Sequence, residues 1–309
     1  MKNINALSLV ILFSLVVMAA MGLMIFKTET TGKSIKNKIA NKITLPTVTS
    51  TAMPTPTEAI STPAPTVTAA PASPSAKIVS FSDMNKLYGP CTQVPVLMYH
   101  HIQPEEDAKK NGSTGLTVTP DWFRKHMAYL KEKGYTTIWP EALTGFFDKG
   151  IKLPAKAVII TLDDAYEDNY THAYPILKEF GLKATIFTPT GLVMNPDYLT
   201  WDQIKEMNAS GLVYFGNHTW SHHSSAGTLE VQDKEISIAD TQLAEHGQNS
   251  DKIFAYPYGK PSSDAEMILG KYKYNMAFTT THGTIMCQKQ RYILPRIRIG
   301  NAELKRFGL

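Results

Sequence analysis

Four short runs bring together residue types that can handle a proton or a cation. In Ile159-Ile160-Thr161-Leu162-Asp163-Asp164 two carboxylates follow an apolar, β-type run directly. Adjacent carboxylates repel unless a cation or a shared proton relieves them. Taken alone, the pair reads as a helix N-cap. In Gly216-Asn217-His218-Thr219-Trp220-Ser221-His222-His223, His218 and His222 stand four apart, so one helical turn would put both on one face. Imidazole nitrogens bind Zn²⁺ and similar ions, and two His with one Asp leave an open position for water. His223 reads as a supporting or surface residue. In Phe254-Ala255-Tyr256-Pro257-Tyr258-Gly259 the Pro and Gly fix a turn that could aim a backbone N–H, although a plain loop would look the same. Pro95-Val96-Leu97-Met98-Tyr99-His100-His101 ends a fourth apolar run in histidine.

These residues need elements to hold them. Strands are expected at Val94–Tyr99, Tyr135–Trp139, Ala157–Leu162, Leu182–Thr188, Leu212–Gly216, Ile253–Tyr256, Tyr274–Thr279 and Ile293–Ile299. Helix patterns fall between most of them. Thr119-Pro120 starts one that Gly134 ends, with Phe123, Met127 and Leu130 on its apolar face. Trp201–Ala209 and Leu229–Glu245 also read as helices. Repeated β-then-α order predicts a parallel α/β sheet, open or closed into a barrel, with its chemistry at the strand C-termini.

Together, the motifs resemble those of the polysaccharide deacetylases, the NodB-homology or carbohydrate esterase family 4 group, from about Val94 to Arg298. Thr161 to Ala165 matches Thr-Phe-Asp-Asp-Gly with Leu for Phe and Ala for Gly. His218 to His222 matches His-Ser/Thr-x-x-His. Ala255 to Gly259 matches the third motif except that Ala255 stands where the family has arginine. The usual Leu-x-His near the C-terminus is missing. The strand ending at His100, Tyr256 to Gly259 and Leu294-Pro295-Arg296 are instead similar to the poly-N-acetylglucosamine deacetylase branch, in which the catalytic histidine comes from the first strand.

The resemblance implies a distorted (β/α) barrel of fewer than eight strands. It implies Asp163 as catalytic base, and Asp164, His218 and His222 as ligands of a divalent metal, Zn²⁺ ahead of Co²⁺, Mn²⁺ or Ni²⁺. It also implies the Tyr258 N–H as an oxyanion donor. His100 is assigned as general acid ahead of His101 and His282. Arg296 is the candidate for the missing arginine, against the alternative of a surface ion pair. The expected activity removes N-acetyl groups from an extracellular, poly-N-acetylglucosamine-like polysaccharide. Peptidoglycan, chitin oligomers and acetylated xylan are alternative substrates, and a catalytically silent carbohydrate-binding protein is the alternative class. Trp220, between the two histidines, is the aromatic expected to contact sugar, while Trp122, Trp139 and Trp201 read as core.

Two further segments precede this domain, which is taken as 77–309. Residues 1–27 contain 21 uncharged residues from Ala6 to Phe26, long enough for a membrane-crossing signal anchor. A cleaved signal peptide is the alternative. Lysines that follow the span run against the positive-inside rule. Residues 28–76 form a linker, in which 27 of the 33 residues from Thr44 to Ala76 are Thr, Pro, Ser or Ala. The expected location is the outer face of a bacterial membrane or the cell wall, or the medium if the first segment is removed. Cys91 and Cys287 pair in that setting, or remain two thiols. Asn-x-Ser/Thr sequences start at Asn111, Asn169, Asn208 and Asn217.

The formal net charge is +4, but six lysines and only two glutamates fall in residues 1–76. The remaining chain is therefore neutral. That excludes the basic footprint of a nucleic-acid binder and suits an uncharged sugar polymer. A monomer is expected.

Overall fold

The computed structural model describes residues 79–224 and 227–309. The anchor and the whole of the linker lie outside the described residues. Among the described residues, no helix is long and apolar enough to cross a membrane.

In chain order the strands are β1 (Cys91–Gln93), β2 (Val96–Tyr99), β3 (His101–Ile102), β4 (Thr117–Val118), β5 (Thr136–Thr137), β6 (Ala157–Asp163), β7 (Ala184–Thr188), β8 (Val213–Asn217), β9 (Ile253–Ala255), β10 (Met276–His282), β11 (Ile285–Cys287) and β12 (Leu294–Arg298). Seven of them form a closed parallel barrel in the order β2-β12-β10-β9-β8-β7-β6, and β6 pairs back onto β2. Every expected strand is present. The expected strand at Tyr135–Trp139 shortens to β5 and stays out of the barrel wall. It pairs with Ala157 and Val158 of β6, while β2 takes the next stretch of the same edge from Ile159.

Strand alternation sorts the two faces. On β6, Ile159 faces the interior with Val96, Phe187, Phe278 and Leu294. Val158, Ile160 and Leu162 face outward into a second layer. The helices α1 (Phe81–Tyr88), α2 (Glu105–Lys110), α3 (Pro120–Glu132), α4 (Glu141–Lys149), α5 (Tyr174–Phe180), α6 (Trp201–Ala209), α7 (Leu229–Glu245) and α8 (Ser263–Lys271) surround the barrel. Phe123, Met127 and Leu130 of α3 are fully buried in that outer layer, as the sequence pattern predicts. Each such side chain contributes roughly 1.5–3 kcal/mol by leaving water. The Thr119 side chain caps α3, and Thr200 with Gln203 forms a capping box on α6.

At the opposite end of the barrel from the strand C-termini, Leu143 and Phe147 of α4 and Met286 of β11 fill the floor. There β1 and β11 form an antiparallel ribbon with Cys91 opposite Cys287, and the two are disulfide-bonded. Asn169 and Asn217 are both fully buried, so neither sequence can carry a glycan in the folded chain.

Candidate active site

The inward column of β6 runs Ile159, Thr161, Asp163, and that of β12 runs Leu294, Arg296. Both end at the mouth of the barrel. Arg296 is fully buried. Its Nη1 donates to Asp163 Oδ1 at 2.7 Å and its Nη2 to Asp163 Oδ2 at 2.6 Å. Its Nε donates to the Thr279 carbonyl at 2.9 Å, and Nη1 also reaches Thr161 Oγ1 at 3.1 Å. A two-pronged Arg–carboxylate fork fixes the plane of the acid as well as its charge. Burial pushes the Asp163 carboxyl up, but the Arg296 charge and hydrogen bonds outweigh it and hold the group below the usual carboxylate range. A surface ion pair for Arg296 is therefore excluded.

Asp164 follows in sequence and would point outward if β6 continued. The chain instead turns left-handed at Asp164 (φ 77°) and Ala165 (φ 57°), which brings the Asp164 carboxylate back over the mouth. Ala165 thus holds a conformation that glycine adopts more cheaply, at the position where the family motif has glycine. From the end of β8, His218 Nδ1 stands 2.7 Å from the Ala255 carbonyl. That contact makes Nδ1 the protonated nitrogen and leaves Nε2 as a lone pair. His218 Nε2 lies 3.4 Å and His222 Nε2 3.1 Å from Asp164 Oδ1. Asp164 Oδ1 is buried and finds no hydrogen-bond donor. Two imidazole nitrogens and a carboxylate oxygen converging in this way suit a cation, and Asp164, His218 and His222 are a set that could hold one. The two histidines are not on one helical turn. They come together through left-handed residues at Thr219 (φ 67°) and His222 (φ 59°).

His100, at the end of β2, lies across the mouth with Nε2 4.0 Å from Asp163 Oδ2. Burial lowers its pKa, with Asp163 and Asp164 acting against that shift. Tyr258 adopts a left-handed conformation (φ 59°) in the turn after β9, and its ring lies 4.8 Å from that of His222. His100, Asp163, Asp164, His218, His222 and Tyr258 line one cleft, together with Leu116, Thr280 and Arg298. His101 points elsewhere. Its Nδ1 meets Asp168 Oδ2 at 2.5 Å and its ring stacks on Tyr166 at 3.5 Å. His282 is exposed at the end of β10 and does not line the cleft. Trp220 does not line it either. Its indole covers Gly191, where a Cβ would come within 2.5 Å of Nε1.

Sequence reasoning missed Tyr166, Asp168, Asn169 and Tyr198. Tyr166 and Tyr198 are joined by an isolated antiparallel bridge, with ring centroids 5.4 Å apart. Burial and then the Asp164 carboxylate push the Tyr166 phenol up. These two rings and His101 line a groove that meets the cleft at Leu116. No motif marks them. Asp168 and Asn169 sit in the polar run Glu167 to His172, where nothing in the sequence sets them apart from surface residues.

The closed parallel barrel thus carries a forked aspartate beside an Asp-His-His cluster that could hold a cation, both at the strand C-termini. The polysaccharide deacetylase family model matches residues 150–277. YxkH of Bacillus subtilis (strain 168), named for the same family, is 33% identical over 211 residues, covering 67% of this chain and 71% of that protein. The Streptococcus pyogenes deacetylase PplD, solved with acetate, is 32% identical with a TM-score of 0.63, covering 70% of this chain and 98% of that one. The chain belongs to the polysaccharide deacetylase family. It is also 26% identical over 258 residues to the poly-beta-1,6-N-acetyl-D-glucosamine N-deacetylase of Escherichia coli (strain K12), covering 69% of this chain but only 37% of that longer protein.

Proposed function

We propose that this polysaccharide deacetylase removes N-acetyl groups from a poly-N-acetylglucosamine-like exopolysaccharide, with a divalent cation, Zn²⁺ first, at Asp164, His218 and His222. The observation that carries this reading is the Arg296–Asp163 fork set beside that three-residue cluster in one cleft. A cation bound there would polarise the acetyl carbonyl and lower the pKa of water at the site.

The chain's own residues supply the proton traffic. Asp163, kept ionised by Arg296, takes a proton from the attacking water. No backbone carbonyl among the described residues accepts from the Tyr258 N–H, which leaves it free to donate to the developing oxyanion. As the C–N bond breaks, His100 gives its proton to the leaving amine. The products are acetate and a glucosamine unit, and solvent restores both residues. The cleft continues past Leu116 into the groove of Tyr166 and Tyr198, which suits a polymer better than a single sugar. The E. coli relative's name favours β-1,6-linked N-acetylglucosamine. Residues 1–27 and 28–76 would tether the domain outside the cell, where the Cys91–Cys287 bond is stable. The protein would act there as a monomer.

The test is acetate release from poly-N-acetylglucosamine, peptidoglycan, chitin oligomers and acetylated xylan, with and without a chelator. The expected result is fastest release from the first polymer, loss with chelator, and recovery with Zn²⁺. Chelator-insensitive release, or none from any polymer with metal supplied, would overturn it. Asp163→Asn should abolish turnover with metal still bound.

A further inference from the structure

Asp163 ends β6, and the loop that follows it carries Asp164 and reaches across to the end of the neighbouring strand β2. Asn169 is fully buried. Its Nδ2 donates to the His100 carbonyl at 2.9 Å and to Asp168 Oδ1 at 2.9 Å. Both neighbours are acceptors, so the amide orientation is fixed by its surroundings. Asp168 Oδ1 accepts the Ile102 N–H at 2.9 Å, and Asp168 Oδ2 meets His101 Nδ1 at 2.5 Å. Three consecutive residues, His100, His101 and Ile102, are thus each held by the Asp168-Asn169 pair. Asn169 opens a short π-helical segment, Asn169–Ala173, and such irregularities often accompany functional sites.

We infer that Asn169, braced by Asp168 and His101, is a positioning residue for His100, setting its imidazole against Asp163 at the end of β6. This rests on the reading of His100 as the acid that protonates the leaving amine. The physical consequence is specific. An amine leaves poorly without a proton, whereas a nitrophenolate leaves without one. Loss of the clamp should therefore harm amide cleavage far more than cleavage of an activated ester. A merely structural role would lower both alike.

The test measures kcat and KM of the full chain on N-acetylglucosamine oligomers and on para-nitrophenyl acetate, with Zn²⁺ affinity by calorimetry. Asn169→Ala should lower the amide-to-ester kcat ratio about a hundredfold, the scale of a misplacement of about 1 Å, with KM and Zn²⁺ affinity unchanged. If Asn169→Ala does not fold, Asp168→Asn keeps an acceptor for the Ile102 N–H, loses the charged partner of His101, and should lower the ratio in the same direction. An unchanged ratio in the folded variant overturns the inference. His100→Asn separates the two levels. If it lowers the ratio while Asn169→Ala does not, only the positioning role fails. If His100→Asn leaves the ratio unchanged, the acid role fails and the inference falls with it.

Discussion

At the scale of single residues, the site depends on Arg296 more than its sequence context suggests. A buried carboxylate that loses its only guanidinium is left charged and unpaired. Arg296→Met should therefore destabilise the domain by about 3–5 kcal/mol, measured by denaturant melts. Arg296→Lys keeps the charge but loses the fork. The Asp163 pKa then rises, so the acidic limb of the kcat/KM profile should move to higher pH, because the base must be ionised to act. A second residue sets a pH limit away from the cleft. His126 Nε2 stands 2.7 Å from the Ala302 carbonyl and Nδ1 3.2 Å from the Tyr99 hydroxyl, an arrangement that satisfies the neutral ring. Burial holds its pKa below the usual value, with the Ala302 hydrogen bond acting against that shift. The unfolded chain therefore binds the proton more readily. The contribution to stability is complete above about pH 6.5 and is lost as pH falls from there through the lowered native pKa. Melting temperature should drop over that window in the wild type and less steeply in His126→Gln.

At the scale of elements, β8 shows how a strand and its site residues can be readable while their geometry is not, since His218 and His222 meet through left-handed turns and not one helical turn. The apolar run and its final Asn-His were plain in sequence, as were all eight expected strands and the helices at Thr119, Trp201 and Leu229. Asp163, Asp164, His218, His222, His100 and Arg296 were legible through the motif resemblance, and all but His222 lie within three residues of a strand end. What was not legible depends on which strands become neighbours. The adjacency of β2 and β6 makes Asn169 a partner of His100 across 69 residues of sequence, and Asp168 a partner of His101 and Ile102. The strands β1, β3, β4 and β11 have two or three residues, too few for a period to appear. Gly216 illustrates the packing side. It faces the interior of the barrel, where a Cβ would lie 2.9 Å from the Phe187 ring and 3.1 Å from the Ile253 carbonyl. Gly216→Ala should cost roughly 1–3 kcal/mol in thermal or denaturant stability, and it should weaken Zn²⁺ binding because His218 follows two residues later.

At the scale of the whole molecule, the basic surplus lies in residues 1–76 and the catalytic domain is neutral, so activity on an uncharged polymer should depend little on salt. The disulfide joins residues 196 positions apart. Closing so long a loop restricts the unfolded chain strongly. The double change Cys91→Ser with Cys287→Ser should lower stability by up to about 5 kcal/mol, read from urea melts with and without reductant. The same bond makes one covalent hoop of residues 91–287, which contains six of the seven barrel strands and every residue of the cleft except those on β12. A protease that cuts the exposed stretch at Met194–Asp197 would open the backbone without releasing a fragment. The nicked protein should run as a single species on a non-reducing gel and as two on a reducing one. Of the barrel strands only β12, with Arg296, lies outside the hoop and is held by strand pairing, the buried Leu294 and Ile297, and the Arg296 contacts, so its detachment would take the orienting arginine away while the backbone hoop stayed closed.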